Sequence, residues 1–389
     1  MKPSAARSTR LVMCAKSPWS PSIRREHWLA RETAAHGVET IYLEAPADIR
    51  ALADSDECAR YLTGLLRGAR RRPSGPDAVG VDLWSRSTVV PPHRGPRALA
   101  WDAARLAHDL ARFDQPETVV VACSPWAWPA VEGLTQARRV IDLGDDWAAL
   151  IPDRADLVAA LYARIAATAD GIVLASADLV GAFPGRIPTV IPNGVDPSMI
   201  ASPPTAPPDR RRMVYVGTLS ERLDVPLLTD VVRALPSWTL DLYGPCAYRR
   251  RGNRPDAELL GLLAQAPERV RWHGPLPRPD VPEVIDGSDV ALVPNRASST
   301  AGQDSMKVYD YAARGRPIVA TTAVLGRRRV PGALVASGPV EFVGAVAEGA
   351  EQPAHARQEA VGWAARNTWP RRWPQWWAAV RGPGQEVRA

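Results

Sequence analysis

The sequence is poor in the residues that hold metals and disulfides, with four cysteines and six histidines among 389 residues. Cys14, Cys58, Cys123 and Cys246 form no CxxC pair, and no two histidines stand at HxH or HxxxH spacing. No protein-bound metal or cofactor is therefore expected. Cys14 and Cys123, inside apolar stretches, read as core thiols rather than ligands or disulfides. No apolar run reaches the ~18–20 residues that span a bilayer. The basic N-terminus is followed by an apolar stretch only at 11–15, too short for a signal segment, so the expected location is the cytoplasm. No GxGxxG follows a strand, which argues against a dehydrogenase. No basic stripe interleaved with aromatics is present, so nucleic acid is not an expected partner.

What the chain does have is apolar residues at 46%, charged residues at 23% and a formal charge of +6. These values suit a globular protein, and 389 residues suit two domains at roughly 100–200 residues each. Arginine triplets at 70–72, 210–212, 249–251 and 327–329 carry much of the excess charge. They read either as solvated loop charge or as contacts to anionic lipid headgroups or a phosphorylated ligand.

Apolar β-type runs alternate with helical patterns. In the first half, strands are expected near 11–15, 38–43, 79–84, 118–123, 138–142, 171–175 and 188–191. Helices are expected at 23–35, 56–70, 98–111 and 154–169. The alternation restarts at 213–217 and continues at 239–243, 270–272, 289–293, 317–320 and 333–336. Strands apolar throughout and separated by helices indicate parallel sheets covered on both faces. Four prolines within residues 202–209 break the pattern and read as an extended linker. The expected fold is α/β, with two doubly wound domains facing across a cleft. The domains are 1–200, a linker 201–209, 210–362, and a Trp/Arg-rich tail helix at 363–389.

The strongest chemical signal is a buried strand at 289–293, a loop of small polar residues, and a helix from Ser305 that stops at Gly315. A helix N-terminus offers unpaired N–H groups and partial positive charge, which suits a diphosphate. Lys307, in the first turn, opposes the helix dipole by ~0.3–1 kcal/mol. A phosphate there would reverse the balance, since charge-assisted hydrogen bonds contribute ~1.5–3 kcal/mol. Asp310 shares the face of Lys307 and could take ribose hydroxyls, or the two could form an ordinary helix pair.

The segment Ser-Met-Lys-Val-Tyr-Asp-Tyr-Ala-Ala-Arg-Gly at 305–315 resembles the donor-binding segment of the group 1 (family 4 type) glycosyltransferases, which have the GT-B fold of two Rossmann-like domains. Val-Ile-Pro-Asn-Gly-Val-Asp at 190–196, Val-Tyr-Val-Gly-Thr-Leu-Ser-Glu-Arg at 214–222 and Val-Arg-Trp-His-Gly-Pro at 270–275 match in the same order. The resemblance implies that Asp310 holds the donor ribose and that Arg222 contacts its diphosphate. It further implies that Gly217 lets that loop approach the phosphates, and that Ser305, Met306 and Lys307 bind beside them. Asn193, Gly194 and Asp196 would line the hinge side of the cleft; a structural turn is the other reading. Retaining relatives carry two acidic residues eight positions apart. The second matches Asp310, but the first position here is Gly302, which leaves the sugar and the stereochemical course open.

The implied activity is transfer of a hexose-type sugar from a nucleoside diphosphate sugar to a hydroxyl of a lipid-linked glycan or small-molecule acceptor, as in polysaccharide biosynthesis. A non-catalytic nucleotide-sugar-binding relative and a sugar-nucleotide epimerase of the same fold are the alternatives. On the acceptor side, Asp142, Asp145 and Asp146 crowd a loop after a strand. Asp145 and Asp146 are candidate general bases, since crowded carboxylates raise one another's pKa. Helix capping and ion pairing to arginine are the other reading. His27 in the first helix is a third candidate. The tail holds Trp363, Trp369, Trp373, Trp376 and Trp377, which suits either packing or a peripheral position on the anionic inner face of a membrane.

Overall fold

A computed structural model describes residues 9–19, 23–48, 70–72, 78–86, 88–91, 94–202, 208, 210–248, 253–296, 303–326 and 328–382. The expected helix at 56–70, except its last residue, which opens a strand, and Cys58 lie outside the described residues. So do the arginines at 249–251 and Arg327, most of the proline-rich stretch, and the small polar loop at 297–302. The chain forms two units, residues 1–192 with 372–389, and residues 193–371.

The first unit contains β1 (Arg10–Cys14), β2 (Glu39–Leu43), β3 (Ala47–Asp48), β4 (Arg70–Arg72), β5 (Val81–Ser85), β6 (Val89–Val90), β7 (Thr118–Ala122), β8 (Arg138–Leu143), β9 (Gly171–Leu174) and β10 (Thr189–Val190). Its main sheet has the order β10-β9-β8-β7-β1-β2-β5-β4, parallel except at β4, and β3 pairs with β6 apart from it. Leu11, Val12 and Met13 of β1 and Val119 to Ala122 of β7 are wholly buried. Apolar side chains on both faces exclude water only if helices cover both faces. Pro96–Leu110 is one such helix. It starts with proline at its first position and buries Leu99, Ala103, Leu106 and Leu110 at helical spacing.

The second unit contains β11 (Arg212–Val216), β12 (Thr239–Tyr243), β13 (Val270–Trp272), β14 (Val290–Val293), β15 (Ile318–Thr321) and β16 (Ala333–Ala336), all parallel, in the order β13-β12-β11-β14-β15-β16. In both units the strand order reverses beside the first strand, between β1 and β7 and between β11 and β14. Such switch points open a crevice at the carboxyl ends of the strands.

The division falls at Pro192–Asn193, ahead of the proline-rich stretch read as the linker. Hydrogen bonds explain the position. Asn193 N–H donates to Asp304, Val195 N–H to the Asn367 carbonyl, and Ala201 N–H to the Ala313 carbonyl. Residues 193–201 are thereby part of the second unit.

The expected single tail helix is two helices, Ala354–Arg366 and Trp369–Arg381. Trp363 stacks on Tyr309 of the second unit with ring centroids 5.1 Å apart. In the first unit Trp373 donates from its indole to Thr33 Oγ1 at 2.9 Å and stacks on His36 at 3.6 Å. Trp376 donates to Asp142 Oδ2 at 2.6 Å. Trp369, Trp373, Trp376 and Trp377 are all buried, as the packing reading expects. Among the described residues no helix is long and apolar enough to cross a membrane. The described members of the arginine triplets are partly engaged in ion pairs. Arg71 pairs with Asp82, Arg72 with Glu44 and Arg212 with Asp241.

Asp142 is the anchor of the tail helix. It also takes the Arg25 guanidinium at 2.8 Å, and both side chains are almost fully buried. Trp376→Phe keeps the ring but removes the donor, and a hydrogen bond to a charged group is worth ~1.5–3 kcal/mol. A loss of about 2 kcal/mol is expected in denaturant unfolding, with the m-value unchanged.

Candidate functional site

At the switch point of the second unit, the loops after β11 and β14 are stitched together. Leu223 and Asn295 form an antiparallel bridge. Asp224 N–H donates to the Pro294 carbonyl at 2.8 Å, and Arg296 N–H donates to the Arg222 carbonyl at 2.8 Å. The loops after β11, β12 and β13 are joined as well. Gly217 N–H donates to the Tyr243 carbonyl at 2.8 Å, and Gly244 N–H to the Gly274 carbonyl at 2.7 Å. A Cβ on Gly244 would stand 2.1 Å from the Gly217 carbonyl oxygen, and both glycines have positive φ. Only glycine permits this approach at such dihedrals.

The helix Met306–Ala313 starts beside this junction, with Ser305 as its N-cap residue. Its Tyr311 hydroxyl accepts the Val216 N–H at 2.7 Å, which fixes the end of β11 to the helix. Lys307 extends over the Tyr215 ring with Nζ 4.8 Å from the centroid. Attraction to the ring face offsets the unfavourable helix dipole at that position. A Cβ on Gly217 would lie 2.7 Å from Lys307 Cε, so the glycine makes room for the lysine as well as for the turn. Lys307, Gly217 and the helix N-terminus are thus brought together. Arg222 is in the same loop as Gly217, its backbone held by Arg296.

Asp310 is paired with Arg278 rather than with its helix neighbour Lys307. The Arg278 nitrogens stand 3.4 and 3.5 Å from the two carboxylate oxygens, a two-pronged approach, and 3.9 Å from Asp196. Burial pushes the Asp310 carboxyl above its usual pKa, while the charges of Arg278 and Lys307 pull it back. Asn193 and Gly194 have structural partners. Asn193 is buried and clamps Asp304 through two 2.6 Å bonds, one to its carboxylate and one to its carbonyl. Asp304 also accepts from the Tyr309 hydroxyl at 2.8 Å and pairs with Arg328. Gly194 lies against backbone, where a Cβ would meet Trp369 N at 2.9 Å.

The first-unit candidates separate. Asp145 pairs with Lys16 at 2.8 Å, both largely buried. Burial opposes the Lys16 charge, but the Asp145 and Glu26 carboxylates outweigh it and hold the ammonium above its usual pKa. Asp146 Oδ1 caps the helix Trp147–Leu150 through the N–H groups of Ala148 and Ala149. His27 is wholly buried. Its Nδ1 accepts the Arg24 N–H at 2.8 Å, so Nε2 carries the proton and faces the Pro18 carbonyl at 3.0 Å. Burial also lowers its pKa. A catalytic role for His27 does not fit this geometry, because neither ring nitrogen is left for an acceptor hydroxyl.

Residues 210–352 match the family described as glycosyl transferases group 1. That stretch, the greater part of the second unit, is a group 1 glycosyltransferase domain, and the chain has the GT-B fold. No curated protein matches it in sequence. Among solved structures, one from E. coli described as trehalose-6-phosphate bound with UDP-2-fluoro glucose is similar at 12% identity and TM-score 0.73, over 96% of this chain and 99% of that one. Sucrose-phosphate synthase from Thermosynechococcus elongatus is similar at 14% and 0.73, over 96% and 98%. The Anabaena protein HepE, in complex with UDP and glucose, is similar at 16% and 0.67, over 96% and 100%. At these identities the likeness carries the fold.

Two residues of the candidate site went unread in the sequence, Arg278 and Asp304. Arg278 is separated from Asp310 by a helix and a strand, and only the flanking prolines mark its loop. Asp304 directly precedes the helix N-cap, a position that hid its role in holding Asn193 and Tyr309. Gly217→Ala should displace Lys307 without unfolding the sheet. Nucleoside diphosphate affinity is expected to fall at least ~10-fold in calorimetric titration, about 1.4 kcal/mol, with the far-UV spectrum unchanged.

Proposed function

We propose that the enzyme transfers a hexose-type sugar from UDP-sugar, held by the second unit, to a hydroxyl of a glycan, lipid-linked or small-molecule acceptor held by the first. The carrying observation is the meeting of Gly217, Lys307 and the N-terminus of helix Met306–Ala313 at the β11/β14 switch point. UDP is the nucleotide chosen because similar structures carry UDP-2-fluoro glucose, UDP and UDP-glucose.

The chemistry follows from charge. Breaking the bond between sugar and diphosphate develops negative charge on the leaving oxygen. Lys307, the helix N–H groups and Arg222 stabilise it in a site already organised before the donor arrives. This reading needs no protein-bound metal. Asp310, oriented by Arg278, takes the ribose hydroxyls. Ser305 and Met306 lie against the diphosphate, and Asn193 and Gly194 shape the edge of the site. On the acceptor side Asp145 is the carboxylate assigned to the acceptor hydroxyl, since Asp146 is used as a cap.

Lys307→Ala is expected to lower kcat at least ~10-fold, about 1.4 kcal/mol of transition-state stabilisation, with the thermal midpoint retained. Wild-type turnover in that variant would remove Lys307 from the site. UDP-sugar that binds but is neither transferred nor hydrolysed across an acceptor panel would return the protein to the binding-only reading.

Asp310 gives a pH signature. Its carboxyl is raised above the usual 3.8, and the ionised form is the better acceptor for ribose hydroxyls. UDP affinity should be full above the raised pKa and decline as pH falls through it, from a higher pH than an ordinary aspartate gives. Asp310→Asn should flatten that decline, as read by titration at stepped pH.

A further inference from the structure

Three buried side chains that the proposed transfer does not use, His27, Tyr42 and Glu44, hold residues 17–19, shortly after β1. The His27 Nε2–H is shared between the Pro18 carbonyl at 3.0 Å and the Tyr42 hydroxyl oxygen at 2.9 Å. That hydroxyl donates in turn to the Ser17 carbonyl at 3.0 Å, and Trp19 N–H donates to Glu44 Oε1 at 2.9 Å. The Trp19 ring meets His27 and Tyr42 edge-on at 5.1 and 4.8 Å, and the His27 ring stacks on Tyr42 at 5.2 Å. In a close-packed interior a ring enclosed in this way cannot turn without displacing Trp19 or Tyr42.

The other ring nitrogen fixes the start of the helix Arg25–Ala35. His27 is its third residue, and Nδ1 accepts the N–H of the N-cap residue Arg24 at 2.8 Å. Glutamate or glutamine makes this bond in an ordinary capping box. With histidine the bond exists only while the ring is neutral. A protonated imidazole is a donor at both nitrogens, so Nδ1–H would face the Arg24 N–H and the cap would open. Burial opposes the charged ring most, Glu26 favours it, and Arg24 and Arg31 oppose it. The Glu26 carboxylate is itself offset by the Lys16 ammonium. Tyr42, and Cys123 near it, stay uncharged through burial, while Glu44 acts on the ring through Trp19. The His27 pKa is thereby lowered from 6.5. Its hold on the segment is full above 6.5 and is lost as pH falls through the lowered value.

The segment adjoins the first unit's strand ends. Lys16, its neighbour in the chain, pairs with Asp145 at 2.8 Å. Lys16 and Glu44 both line a cavity of ≈ 230 Å³ there. Release of residues 17–19 therefore removes the Trp19 bond from Glu44 and loosens the backbone that carries Lys16 toward Asp145.

We propose that His27 is a positioning residue that acts as an acid-released latch. Neutral, it pins residues 17–19 to the first helix and to β2. Protonated, it frees them, and transfer falls while the donor side in the second unit is untouched. The effect on turnover rests on the transfer reading above; the opening of the segment does not.

The test is peptide-resolved hydrogen exchange of the full chain, corrected for intrinsic chemistry, with pH stepped from neutral to well below 6.5. UDP is titrated at each step. Exchange over residues 17–28 should rise at least ~10-fold on the acid side while β7 and β8 stay protected. Wild-type exchange reads the opening without any variant. His27→Gln keeps an acceptor for the cap and cannot titrate, so exchange there should stay near its neutral level. At saturating donor, wild-type turnover should fall several-fold over the same step and that of His27→Gln should not. UDP affinity should follow one pH course in both proteins. The proposal is overturned by acid exchange over 17–28 that does not change, that spreads evenly through the first unit, or that His27→Gln shares. Turnover at saturating donor that is indifferent to the opening would also overturn it. Opening as described in a protein that transfers no sugar at any pH would support the latch and remove the transfer reading.

Discussion

The approach of two backbones, Gly217 to Gly244, sets the shape of the donor-side candidate site. With a side chain at either position the loops after β11 and β12 could not close, because the space is filled by a carbonyl oxygen or by the lysine stem. Their closure fixes Lys307 over Tyr215, and Lys307 stands in the first turn of the helix Met306–Ala313. The positive end of the site is therefore a consequence of backbone geometry. Under the proposed function an anion there would meet groups that need little rearrangement, which is the condition under which electrostatic stabilisation is most effective.

Carboxylates hold the rest in place, and each does so through a long-range partner. Asp304 draws Asn193, Tyr309 and Arg328 to one point, which ties the entry of the second unit to the helix that carries Lys307 and Asp310. Asp310 is spanned by Arg278 from the loop after β13. In the first unit Asp142 joins Arg25 of the first helix to Trp376 of the last. Breaking such buried pairs from one side leaves an uncompensated charge, at a cost of ~3–5 kcal/mol. These residues are accordingly positioning elements as much as chemical ones.

Much of the fold was legible because both parallel sheets consist of short strands apolar on both faces, and such runs stand out against the helices. Lys307, Asp310 and Gly217 were legible because they sit in contiguous motifs. Arg278 was not, since its partner is distant in sequence and the pairing i to i+3 between Lys307 and Asp310 offered a nearer explanation. His27 misled for the opposite reason. A histidine beside a loop after the first strand looks reactive, and only the backbone donor at Arg24 and the acceptor at Pro18 reveal that both nitrogens are committed. The domain boundary was drawn at the prolines because composition changes there. The chain had already joined the second unit through hydrogen bonds of Asn193 and Val195 that composition does not record.

The two units share a reversal of strand order beside the first strand but not the side chains that stand there. The second unit's switch point gathers Lys307 and a helix N-terminus, and among the described residues no carboxylate is bonded to that lysine. The first unit's switch point is lined by Lys16, Arg86 and Arg94 together with Glu44 and Asp102, with two indoles beside them. The same topology therefore presents different chemistry in its two halves, with the distinction written in a few side chains at the strand ends.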